Sequence, residues 1–575
     1  MRANKNFELD RNWILERKGK FISNKFSLVL NQILFQRGFE DEKSALEFLN
    51  PAYEDLKSPS KINEVDKAVA VIKNAVENKS KIAIYGDYDV DGLTATALMV
   101  NFLESIGANV TYYIPSRQTD GYGLNKKSID SLRQENVDLI VTVDCGTSAI
   151  SEVDYALGLG LDIIVTDHHD LEEKDGNIIL PNCIVVNPKR NLKELAIYNL
   201  SGVGVAFYLI RALQKSFTEL IPSGQEKWFL DLVALGTICD IVPLKFDNRV
   251  LVKYGLKVLK KSRNLGLQTI VEALEINPST MDTYKIGFVI GPRLNAAGRM
   301  KEATESLSLL LSKDLSESTA IVAKLNDYNL KRQEETERIV GEAKAYIKLK
   351  KLDKHQKIIL LKNKNWPAGI IGIAASRLVE EYNRPILIME EGDKYLKGSA
   401  RSIKGFNIIE ALNECGEFFL KFGGHSQAAG FKLKINNFIA LEKKIMLIAE
   451  SKIRDEELIP KINIDCEIEF KEIGQDLIDE LGRLEPYGSE NRKPFFVSKR
   501  ILVSEINLVG ANRNHLKLVL DSTSGDSFTG MAFNYGSSTA LKVGDVIDII
   551  YTLETNEWKN IRKINLYIID LKMSN

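Results

Sequence analysis

The sequence is poor in the features that mark thiolate-metal, secreted and membrane-spanning proteins. It has five cysteines, and none of them form a Cys-x-x-Cys pair, which argues against a zinc ribbon or a redox motif. No apolar run is long enough to predict a membrane span. The N-terminal segment MRANKNFELDRNW lacks the apolar core of a signal peptide. These absences favour a protein of the reducing cytoplasm.

An excess of positive charge is missing as well. Lysine plus arginine number 77 and aspartate plus glutamate 78, which gives a formal net charge of −1. Nucleic-acid-binding domains are typically basic, so composition alone favours a metabolic enzyme. Any affinity for a polyanion must come from a local basic surface or from bound cations. The chain is too long for one core, and about three or four domains are expected.

Short apolar segments that run into polar residues are prominent in the first half of the chain. Four of them, at 82–85, 139–143, 163–166 and 183–186, are separated by helical stretches. This alternation predicts a parallel sheet that is covered on both faces. In open α/β sheets, ligands bind beyond the carboxyl ends of the strands. Because the first three segments end in carboxylates or histidines, we expect one shared site there.

The remaining sequence predicts three more regions. Residues 329–351 are rich in helix formers and indicate a solvated connecting helix, and a second α/β pattern follows over 352–455. Five strand-like segments in 456–575 predict a small β-barrel, for which an oligonucleotide-binding (OB) fold is one candidate. With a helical region at 1–60 and the parallel-sheet domain at 61–328, the predicted fold class is α/β with a C-terminal OB-type barrel.

The motif GDYDVDG at residues 86–92 carries the densest group of acids. It places Asp87, Asp89 and Asp91 at every second position directly after a predicted strand. Like charges this close repel one another and are destabilising unless a cation lies among them. A solvated acidic turn would explain a single Asp-x-Asp pair equally well. Three acids at a strand end are better explained as a candidate metal site.

The motif TDHHD at residues 166–170 adds imidazole to another strand end. His168 and His169 are adjacent in a chain that has five histidines in total. Asp167 beside them could fix the tautomer of a ring, as carboxylates do around bound metals. A packed structural histidine is the alternative for either ring. Two adjacent histidines between acids favour metal binding.

Two further acids complete the candidate set. Asp144 follows the segment 139–143, and Asp240 interrupts an otherwise apolar stretch, where an unpaired acid is costly. Carboxylates with imidazole and without thiolates suit Mn²⁺ or Mg²⁺ better than a structural zinc. Such a set could hold two ions about 3.5–4 Å apart, the spacing used in phosphoester hydrolysis.

The motifs together resemble a known superfamily. GDYDVDG, VDCGTSA, TDHHD and LGTICDIVPL resemble the ordered motifs of the DHH phosphoesterases. LSGVGVAF, GPRLNAAGRM, KGSARSIKGFNI and FGGHSQAAGF are similar to those of the RecJ family of bacterial single-strand exonucleases. The resemblance covers residues 60–575, and its final segment is the least specific. Coincidence does not explain so many motifs in the order of the family.

The resemblance implies roles for the matching residues. His169 would act at the scissile phosphate, and Asp167 would orient a histidine. Asp87 matches its motif too, but whether it binds a metal directly stays open. The residues that the resemblance assigns to two ions, Mn²⁺ or Mg²⁺, are Asp89, Asp91, Asp144, His168 and Asp240.

The resemblance also implies an activity. It is the stepwise hydrolysis of single-stranded DNA from the 5′ end to mononucleotides, in DNA repair and recombination. A monomer that works with a single-strand-binding protein and a helicase, away from membranes, would be expected. Two alternatives remain: another DHH phosphodiesterase that cleaves very short oligonucleotides or cyclic dinucleotides, and a non-catalytic nucleic-acid-binding protein. The acids argue against the latter, because a pure binder has no need of carboxylates beside a polyanion.

Several polar residues are candidate contacts to the nucleic acid. Forked donors suit phosphate oxygens, and a hydroxyl beside a guanidinium suits a terminal phosphate. For the arginines, surface salt bridges are the alternative, and for the histidine and the tyrosine it is ordinary packing. The candidates are Arg117 and Tyr122 near a Gly-Tyr-Gly turn, Arg293, Asn295 and Arg299 in GPRLNAAGRM, Ser399 and Arg401 in KGSARS, and His425 in FGGHSQAAGF.

Overall fold

In the computed structural model the chain forms two compact units. The first unit consists of Lys43–Lys331 with Arg483–Arg492, and the second unit contains the rest of the chain. Among the described helices, none is both long and apolar enough to cross a membrane. The residues that the structure describes are 11–15, 19–116, 123–536, 541–558 and 561–574.

A five-stranded parallel sheet forms the centre of the first unit. The four predicted strands are confirmed. The edge strand Asn109–Tyr113 was missed, because its residues are half-buried or exposed and form no apolar run. Across the sheet, the strands are Asn109–Tyr113, Lys81–Gly86, Leu139–Val143, Asp162–Thr166 and Ile184–Val186.

The inner strands of this sheet are buried on both faces. In the strand Lys81–Gly86, Ile82 and Ile84 belong to one apolar core, whereas Ala83 and Tyr85 belong to another. This is why these strands appear in the sequence as continuous apolar runs and not as alternating ones. A short exposed hairpin, Glu172–Lys174 with Asn177–Ile179, lies outside the sheet.

The first unit is rich in helices. Its α-helices are Glu42–Leu49, Val65–Glu77, Val90–Ser105, Lys126–Gln134, Ile150–Gly158, Gly202–Gln214, Leu230–Cys239, Phe246–Leu259, Leu265–Ala273, Thr283–Lys285, Gly291–Met300 and Thr304–Leu311. One π-helical turn, Ile286–Ile290, precedes Gly291–Met300. The 3₁₀ turns are Tyr53–Asp55, Pro59–Lys61, Pro188–Arg190, Gln225–Phe229 and Pro278–Thr280.

A long helix, Leu315–Lys350, carries the chain from the first unit to the second. The sequence predicts this helix but places its start near residue 329. The helix begins earlier because its first turns carry apolar residues, such as Val322 and Leu325, that are buried in the core of the first unit. Only the later turns have the charged composition from which a solvated helix was predicted.

A five-stranded mixed sheet lies in the second unit. Ile386–Glu391 and Ile359–Asn363 are parallel, and the other neighbouring strands are antiparallel. The order across the sheet is Phe419–His425, Ala428–Lys434, Tyr395–Arg401, Ile386–Glu391 and Ile359–Asn363. The helices of this unit are Leu28–Gln36, Leu352–His355, Ala368–Tyr382, Ile408–Asn413, Phe438–Lys452 and Gln475–Gly482, with 3₁₀ turns Gly416–Phe418, Ile435–Asn437, Asp455–Glu457 and Phe470–Glu472.

The C-terminal region is a closed β-barrel, as predicted. The long strand Phe496–Val509 pairs with both His515–Asp521 and Val546–Trp558, which closes the barrel. All five predicted strands are present, and the first, fourth and fifth are longer than the apolar segments that indicated them. The barrel strands are Phe496–Val509, His515–Asp521, Ser527–Ala532, Val546–Trp558 and Ile561–Met573, with Cys466–Glu467 added beside the first.

The N-terminal region is not purely helical. The described strand Asn12–Leu15 pairs in parallel with Lys461–Ile464. A pairing between segments so far apart in the chain has no local signal, so the sequence did not indicate it. The helix Leu28–Gln36 follows and agrees with the helical structure predicted for this region.

Candidate active site

The acidic loop GDYDVDG lies between the strand Lys81–Gly86 and the helix Val90–Ser105. Asp89 caps the helix: its carboxylate accepts hydrogen bonds from the backbone nitrogens of Asp91 at 3.0 Å and Gly92 at 3.2 Å. A Cβ on Gly92 would lie 2.6 Å from the backbone nitrogen of Asp87. The glycine therefore allows the loop to fold back tightly, which brings Asp87 and Asp89 to the same end of the sheet.

Asp91 is buried and held by a second helix. One of its oxygens accepts from the backbone nitrogen of Gly202 at 2.6 Å and the other from Val203 at 2.9 Å. These nitrogens belong to the first turn of the helix Gly202–Gln214, where N–H groups lack partners within the helix and favour an anion. A Cβ on Gly236 would lie 2.7 Å from Asp91 Oδ1, so this glycine makes room for the carboxylate.

Asp144 follows the neighbouring strand Leu139–Val143 and has a left-handed backbone, with φ of 62°. This conformation is uncommon outside glycine, although aspartate and asparagine tolerate it best. A Cβ on Gly202 would lie 2.5 Å from Asp144 Oδ1, so only glycine fits beside this carboxylate. The strained backbone and the close glycine place the acid next to His168.

His168 lies at the centre of the acids. Its Nε2 is 3.0 Å from Asp144 Oδ1, 3.5 Å from Asp240 Oδ2 and 3.8 Å from Asp91 Oδ2. Asp240 reaches this point from the carboxyl end of the helix Leu230–Cys239. Three acids from separate segments thus converge on one imidazole nitrogen, as expected for one shared site.

His169 belongs to a hydrogen-bonded pair with Asp167. Its Nδ1 is 2.7 Å from Asp167 Oδ1. Asp167 is buried and also accepts from the backbone nitrogen of Thr147 at 3.0 Å. Asn187, at the end of the next strand, donates to the His169 carbonyl at 3.0 Å and to Thr147 Oγ1 at 2.9 Å. These bonds fix the ring and the backbone of His169, whose side chain is 46% exposed.

Burial and mutual repulsion dominate the electrostatics of the cluster. Burial raises the pKa of Asp144, and the neighbouring acids raise it further. Burial and then Asp89 raise the pKa of Asp87, and burial followed by Asp91 raises the pKa of Asp240. Burial lowers the pKa of His168 to about 3, which keeps the ring neutral. At His169, burial opposes the charged form, but Asp167 outweighs it and raises the pKa to about 9.

The cluster fits divalent cations. Among the described residues, Asp87 Oδ1, Asp144 Oδ1 and His168 Nε2 are buried without a hydrogen bond; the last two are 3.0 Å apart but do not form one with each other. Buried polar atoms are nearly always bonded, so three orphans in one cluster point to an external ligand. The donors are carboxylate oxygens and imidazole nitrogens, which suit Mn²⁺ and Mg²⁺.

The ligand atoms divide into overlapping sets that suit two ions. Within each set the atoms lie no more than 4.8 Å apart. Asp144 and His168 each belong to two sets, so they connect the others. The sets are Asp87 with Asp89 and Asp144; Asp91 with His168 and Asp240; and Asp144 with His168 and His169. The five residues predicted to bind the metals all belong to these sets, as does Asp87, whose ligation was left open; that they bind metal stays a prediction.

The candidate phosphate contacts in the helix Gly291–Met300 are half-buried. Arg293 donates from Nε to Asn326 Oδ1 at 2.7 Å and from Nη1 to the Val289 carbonyl at 2.6 Å. Asn295 and Arg299 lie half-buried on the same helix. A Cβ on Gly298 in this helix would lie 3.1 Å from the carbonyl oxygen of Tyr88, so the helix packs beside the acidic loop.

Three other candidates lie together on the sheet of the second unit. Arg401 donates from Nη1 to Ser399 Oγ at 3.0 Å and from Nε to Ser376 Oγ at 3.2 Å. Ala428 pairs with Arg401 on one side and with His425 on the other, so the arginine and the exposed histidine share a row across the strands. The structure thus brings Ser399, Arg401 and His425 to one face.

The remaining candidates fall partly outside the described residues. Arg117 and Tyr122 lie in the segment 117–122, which the structure does not describe. The barrel sequence also offers Phe533, Trp558 and Tyr567 as candidate stacking residues for bases, with packing in the barrel core as the alternative. The ring centroids of Phe533 and Tyr567 are 4.7 Å apart in a stacked arrangement, and both side chains are half-buried. Trp558 belongs to a strand, but its side chain lies outside the described part.

Sequence reasoning missed the residues that hold the acids in place. Gly202 and Gly236 border Asp144 and Asp91, and the first turn of Gly202–Gln214 supplies the two N–H donors. The motifs LSGVGVAF and LGTICDIVPL contained these glycines, but no local pattern shows that they meet the acids. Asn187 also had a signal, since it follows a strand, yet it received no role.

Comparison with known proteins agrees with this geometry. The DHH family N-terminal domain matches residues 81–237, the DHHA1 domain 355–450 and the RecJ OB domain 464–570. The single-stranded-DNA-specific exonuclease RecJ of Bacillus subtilis is 34% identical over 94% of this chain and 67% of its own length. That of Salmonella typhimurium is 32% identical over 89% of this chain and 90% of its own length. The chain belongs to the RecJ family.

Solved RecJ structures share the fold. RecJ from Thermus thermophilus in complex with Mn²⁺ has a TM-score of 0.82 and 28% identity, over 98% of this chain and 80% of that one. The structure of the same RecJ with Mg²⁺ has a TM-score of 0.75. The predicted family and fold class are therefore confirmed, and these RecJ structures hold Mn²⁺ and Mg²⁺, the two kinds of ion that the sequence predicts for this chain.

Proposed function

We propose that this protein is a metal-dependent exonuclease that hydrolyses single-stranded DNA from 5′ to 3′ into mononucleotides, in DNA repair and recombination. The cluster of acids around His168, with its three buried unbonded atoms, is the observation that carries the proposal. Membership of the RecJ family, with matches that include the OB domain, supports this substrate. The same matches argue against a phosphodiesterase restricted to cyclic dinucleotides or very short oligonucleotides.

The metal-binding role falls on the convergent cluster. When bound, Mn²⁺ or Mg²⁺ ions supply the positive charge that stabilises the attacking and leaving oxygens of phosphoester hydrolysis. The backbone nitrogens of Gly202 and Val203 hold the Asp91 carboxylate in a fixed orientation. We assign to the ions Asp89, Asp91, Asp144, His168 and Asp240, together with Asp87.

His169 is assigned to the scissile phosphate. Asp167 accepts a hydrogen bond from its Nδ1, which fixes the plane of the ring and favours its protonated form. The half-exposed ring can then offer its other nitrogen to a phosphate oxygen. Asp167 is a positioning residue, because its own oxygens bind Thr147 and the backbone of His168 and His169.

The DNA strand is assigned to donors in both units. Ser399 and Arg401 form a linked hydroxyl–guanidinium pair that suits the two charges of a 5′-terminal phosphate. The rest would bind internal phosphates or bases: Arg117, Tyr122, Arg293, Asn295, Arg299 and His425. The expected setting is a cytoplasmic monomer that acts with a single-strand-binding protein and a helicase.

The decisive experiment compares strands labelled at either end. With Mn²⁺, a 5′-labelled single strand should release labelled mononucleotide at once, whereas a 3′-labelled strand should shorten stepwise. A blunt duplex should resist. Release of mononucleotides from the 3′ label first, or equal digestion of the duplex, would contradict the proposal.

Arg401 should determine the preference for a 5′-phosphate. Arg401→Ala should lower affinity for a 5′-phosphorylated strand by roughly tenfold to a hundredfold, because one charge-assisted contact is worth about 1.5–3 kcal/mol. Binding of 5′-phosphate and 5′-hydroxyl strands measures the effect. Arg454→Ala, which changes a 71% exposed arginine of the same unit, is the control. If Arg401→Ala weakens both strands equally, the arginine follows the backbone and does not read the end.

A further inference from the structure

Three lysines form a row across the sheet of the second unit. Lys397 pairs in register with Lys432, and Lys432 pairs with Lys421 on the next strand. Neighbouring strands lie about 4.8 Å apart, so the three side chains start within about 10 Å. We call Lys397, Lys432 and Lys421 the lysine row.

The lysine row lies on the face of the sheet opposite the apolar core that contains Phe431 and Leu433. Side chains alternate between faces along a strand, and along Ala428–Lys434 the residues Ala429, Phe431 and Leu433 are buried. These three pack into the apolar core of the unit. Lys432 lies on the opposite face, and Lys397 and Lys421 are exposed. The helix Ala368–Tyr382 packs on this face beside Ser399 and Arg401, since a Cβ on Gly372 would lie 3.2 Å from Ser399 Oγ. Solvent therefore reaches the part of the face that carries the row.

The same face carries Ser399 and Arg401 in the adjacent rows. Two residues along the strands from the lysine row, Ser399 pairs with Gly430 and Gly430 with Gly423. A Cβ on either glycine would meet no atom within 4 Å. The glycines leave a flat strip, with bare backbone, between the lysines and the row of Arg401. A backbone of repeating phosphates could lie along the part of this strip formed by Gly423 and Gly430, where no side chain projects.

The lysine row is only partly balanced by the protein. Glu390 lies opposite Lys397 in register on the neighbouring strand, and Lys432 Nζ lies 4.5 Å from the centroid of the Tyr395 ring. Within the described residues, no acid lies within ion-pair distance of any of the three, although other lysines of this unit pair with acids, for example Lys362 with Glu391 and Lys444 with Glu417. Like charges directly opposite on neighbouring strands are destabilising. In a chain of net charge −1, three lysines in one row, none of them in an ion pair, form a local positive surface.

Protection of a sheet edge is the simplest alternative. Lysines on edge strands prevent pairing with another chain, and Lys421 does lie on the edge strand Phe419–His425. Tyr395–Arg401 and Ala428–Lys434 are inner strands, however, with partners on both sides. Edge protection therefore does not account for Lys397 or Lys432.

We propose that the lysine row binds internal phosphates of the single strand whose end is held at Ser399 and Arg401. The proposal rests on the proposed function and adds to it the residues that grip the strand behind its end. A local basic surface also explains how a chain without net positive charge can bind a polyanion, because electrostatic attraction depends on the charges near the binding site. Each lysine acts as a point charge on a phosphate, without reading the base.

Salt dependence tests the proposal. The probe is a 5′-phosphorylated oligothymidylate, and its anisotropy is followed without divalent metal so that the strand stays intact. Each neutralised phosphate contributes about 0.7 to the slope of log affinity against log salt for a single strand. The variant with Lys397→Gln, Lys421→Gln and Lys432→Gln should lose about two units of slope. Between about 50 and 200 mM salt, the advantage of the unaltered protein should shrink roughly twentyfold.

Matched variants distinguish the row from charge in general. Lys348→Gln, Lys350→Gln and Lys443→Gln together remove three exposed lysines elsewhere in the same unit and should leave the slope unchanged. Replacing the row by arginines should restore the slope. The single substitutions, each expected to lose about 0.7, test the row even if the triple variant folds poorly.

The outcomes are separable from those of the proposed function. If the unaltered protein binds and digests single strands but the row variants keep its slope, the lysine row is not a phosphate contact and the exonuclease proposal stands. An equal loss in the control triple would also overturn the role of the row. If the unaltered protein neither binds nor digests single strands, both proposals fall.

Discussion

Two regions of the first unit bury charge, and they do so in opposite ways. Arg249 is 1% exposed, and its guanidinium donates to carbonyls of the chain itself: Phe48 at 2.7 Å and Glu485 at 2.8 Å among others. The acidic cluster instead leaves Asp144 Oδ1 and His168 Nε2 without a hydrogen bond. The arginine is satisfied by hydrogen bonds within the protein. The acidic cluster retains buried atoms that only an external ligand can satisfy.

The arginine shows what a structural charge requires. Its partners include four successive carbonyls, from Arg483 to Pro486, so it clamps the start of the segment Arg483–Arg492 to the first unit. The segment also binds the loop after Asp240, since Ser489 accepts from the backbone nitrogen of Leu244 at 2.9 Å. Burial alone therefore does not mark a functional charge, and neither does one unsatisfied atom, since Glu305 Oε2 and Glu480 Oε2 are also buried without a hydrogen bond. The acidic cluster differs because three such atoms converge in one place.

Removing a charge from the acidic cluster should have the largest effect on activity. Asp144→Asn or Asp240→Asn should lower single-turnover hydrolysis by about a thousandfold or more, because a metal ligand contributes several kcal/mol to the transition state. Asp170→Asn is the control: Asp170 belongs to the same TDHHD motif, but its side chain is 87% exposed. Near-full activity of Asp144→Asn at limiting Mn²⁺ would remove that residue from the metal site.

Removing the structural charge should instead lower the stability of the fold. Arg249→Met should lower the free energy of unfolding by about 3–5 kcal/mol, because several buried carbonyls lose their donor. Denaturant titration measures this, and Arg454→Met, at a 71% exposed position, should change little. A loss below about 1 kcal/mol would show that water replaces the guanidinium. Arg249 would then not be a structural charge on which the fold depends.

The stabilisation of the protein by bound metal should depend on the acidic cluster and not on Arg249. Mn²⁺ at about a hundred times its dissociation constant should raise the free energy of unfolding by about 2.7 kcal/mol. Arg249→Met should keep this increment, and Asp144→Asn should lose most of it. In chelator, Asp144→Asn should be more stable than the unaltered protein, because a repulsive buried charge is gone. Calorimetric unfolding with and without Mn²⁺ measures both changes in stability. A full Mn²⁺ increment in Asp144→Asn, or a lower stability of this variant in chelator, would contradict the prediction.

A buried acid outside both regions gives an intermediate case. Asp231 accepts from Ser262 Oγ at 2.6 Å and from the backbone nitrogen of Leu232 at 2.7 Å. Burial outweighs these bonds and raises its pKa to about 6. The folded state therefore binds this proton more tightly than the unfolded state, so stability from this residue rises as pH falls from 8 to 4.

The Asp231 prediction can be measured against an isosteric variant. Relative to Asp231→Asn, the unaltered protein should gain about 2–3 kcal/mol of stability between pH 8 and pH 4. The difference between the two proteins cancels the titration of every other group. A constant difference across this range would show that the two hydrogen bonds already compensate the buried charge.

The features predicted from sequence are those with a local signal. The strand Leu139–Val143 was placed at its observed bounds because a buried strand of a parallel sheet is a continuous apolar run. Asp144 was placed at the site because the carboxyl ends of such strands share one edge. The strands Asn12–Leu15 and Asn109–Tyr113 were missed, since one depends on a partner far along the chain and the other has a mixed surface.

The sequence by itself determined which chemistry this protein carries: acids and histidines at strand ends, in an order that belongs to one family. Only the tertiary structure decided that Gly202 and Gly236 border the acids, that Arg249 binds carbonyls of residues 483–486, and that three lysines share one row. The physical reason is the range of the interactions. Apolar periodicity and strand-end acids are set by neighbours along the chain, whereas strand register and helix packing join residues that are distant in it.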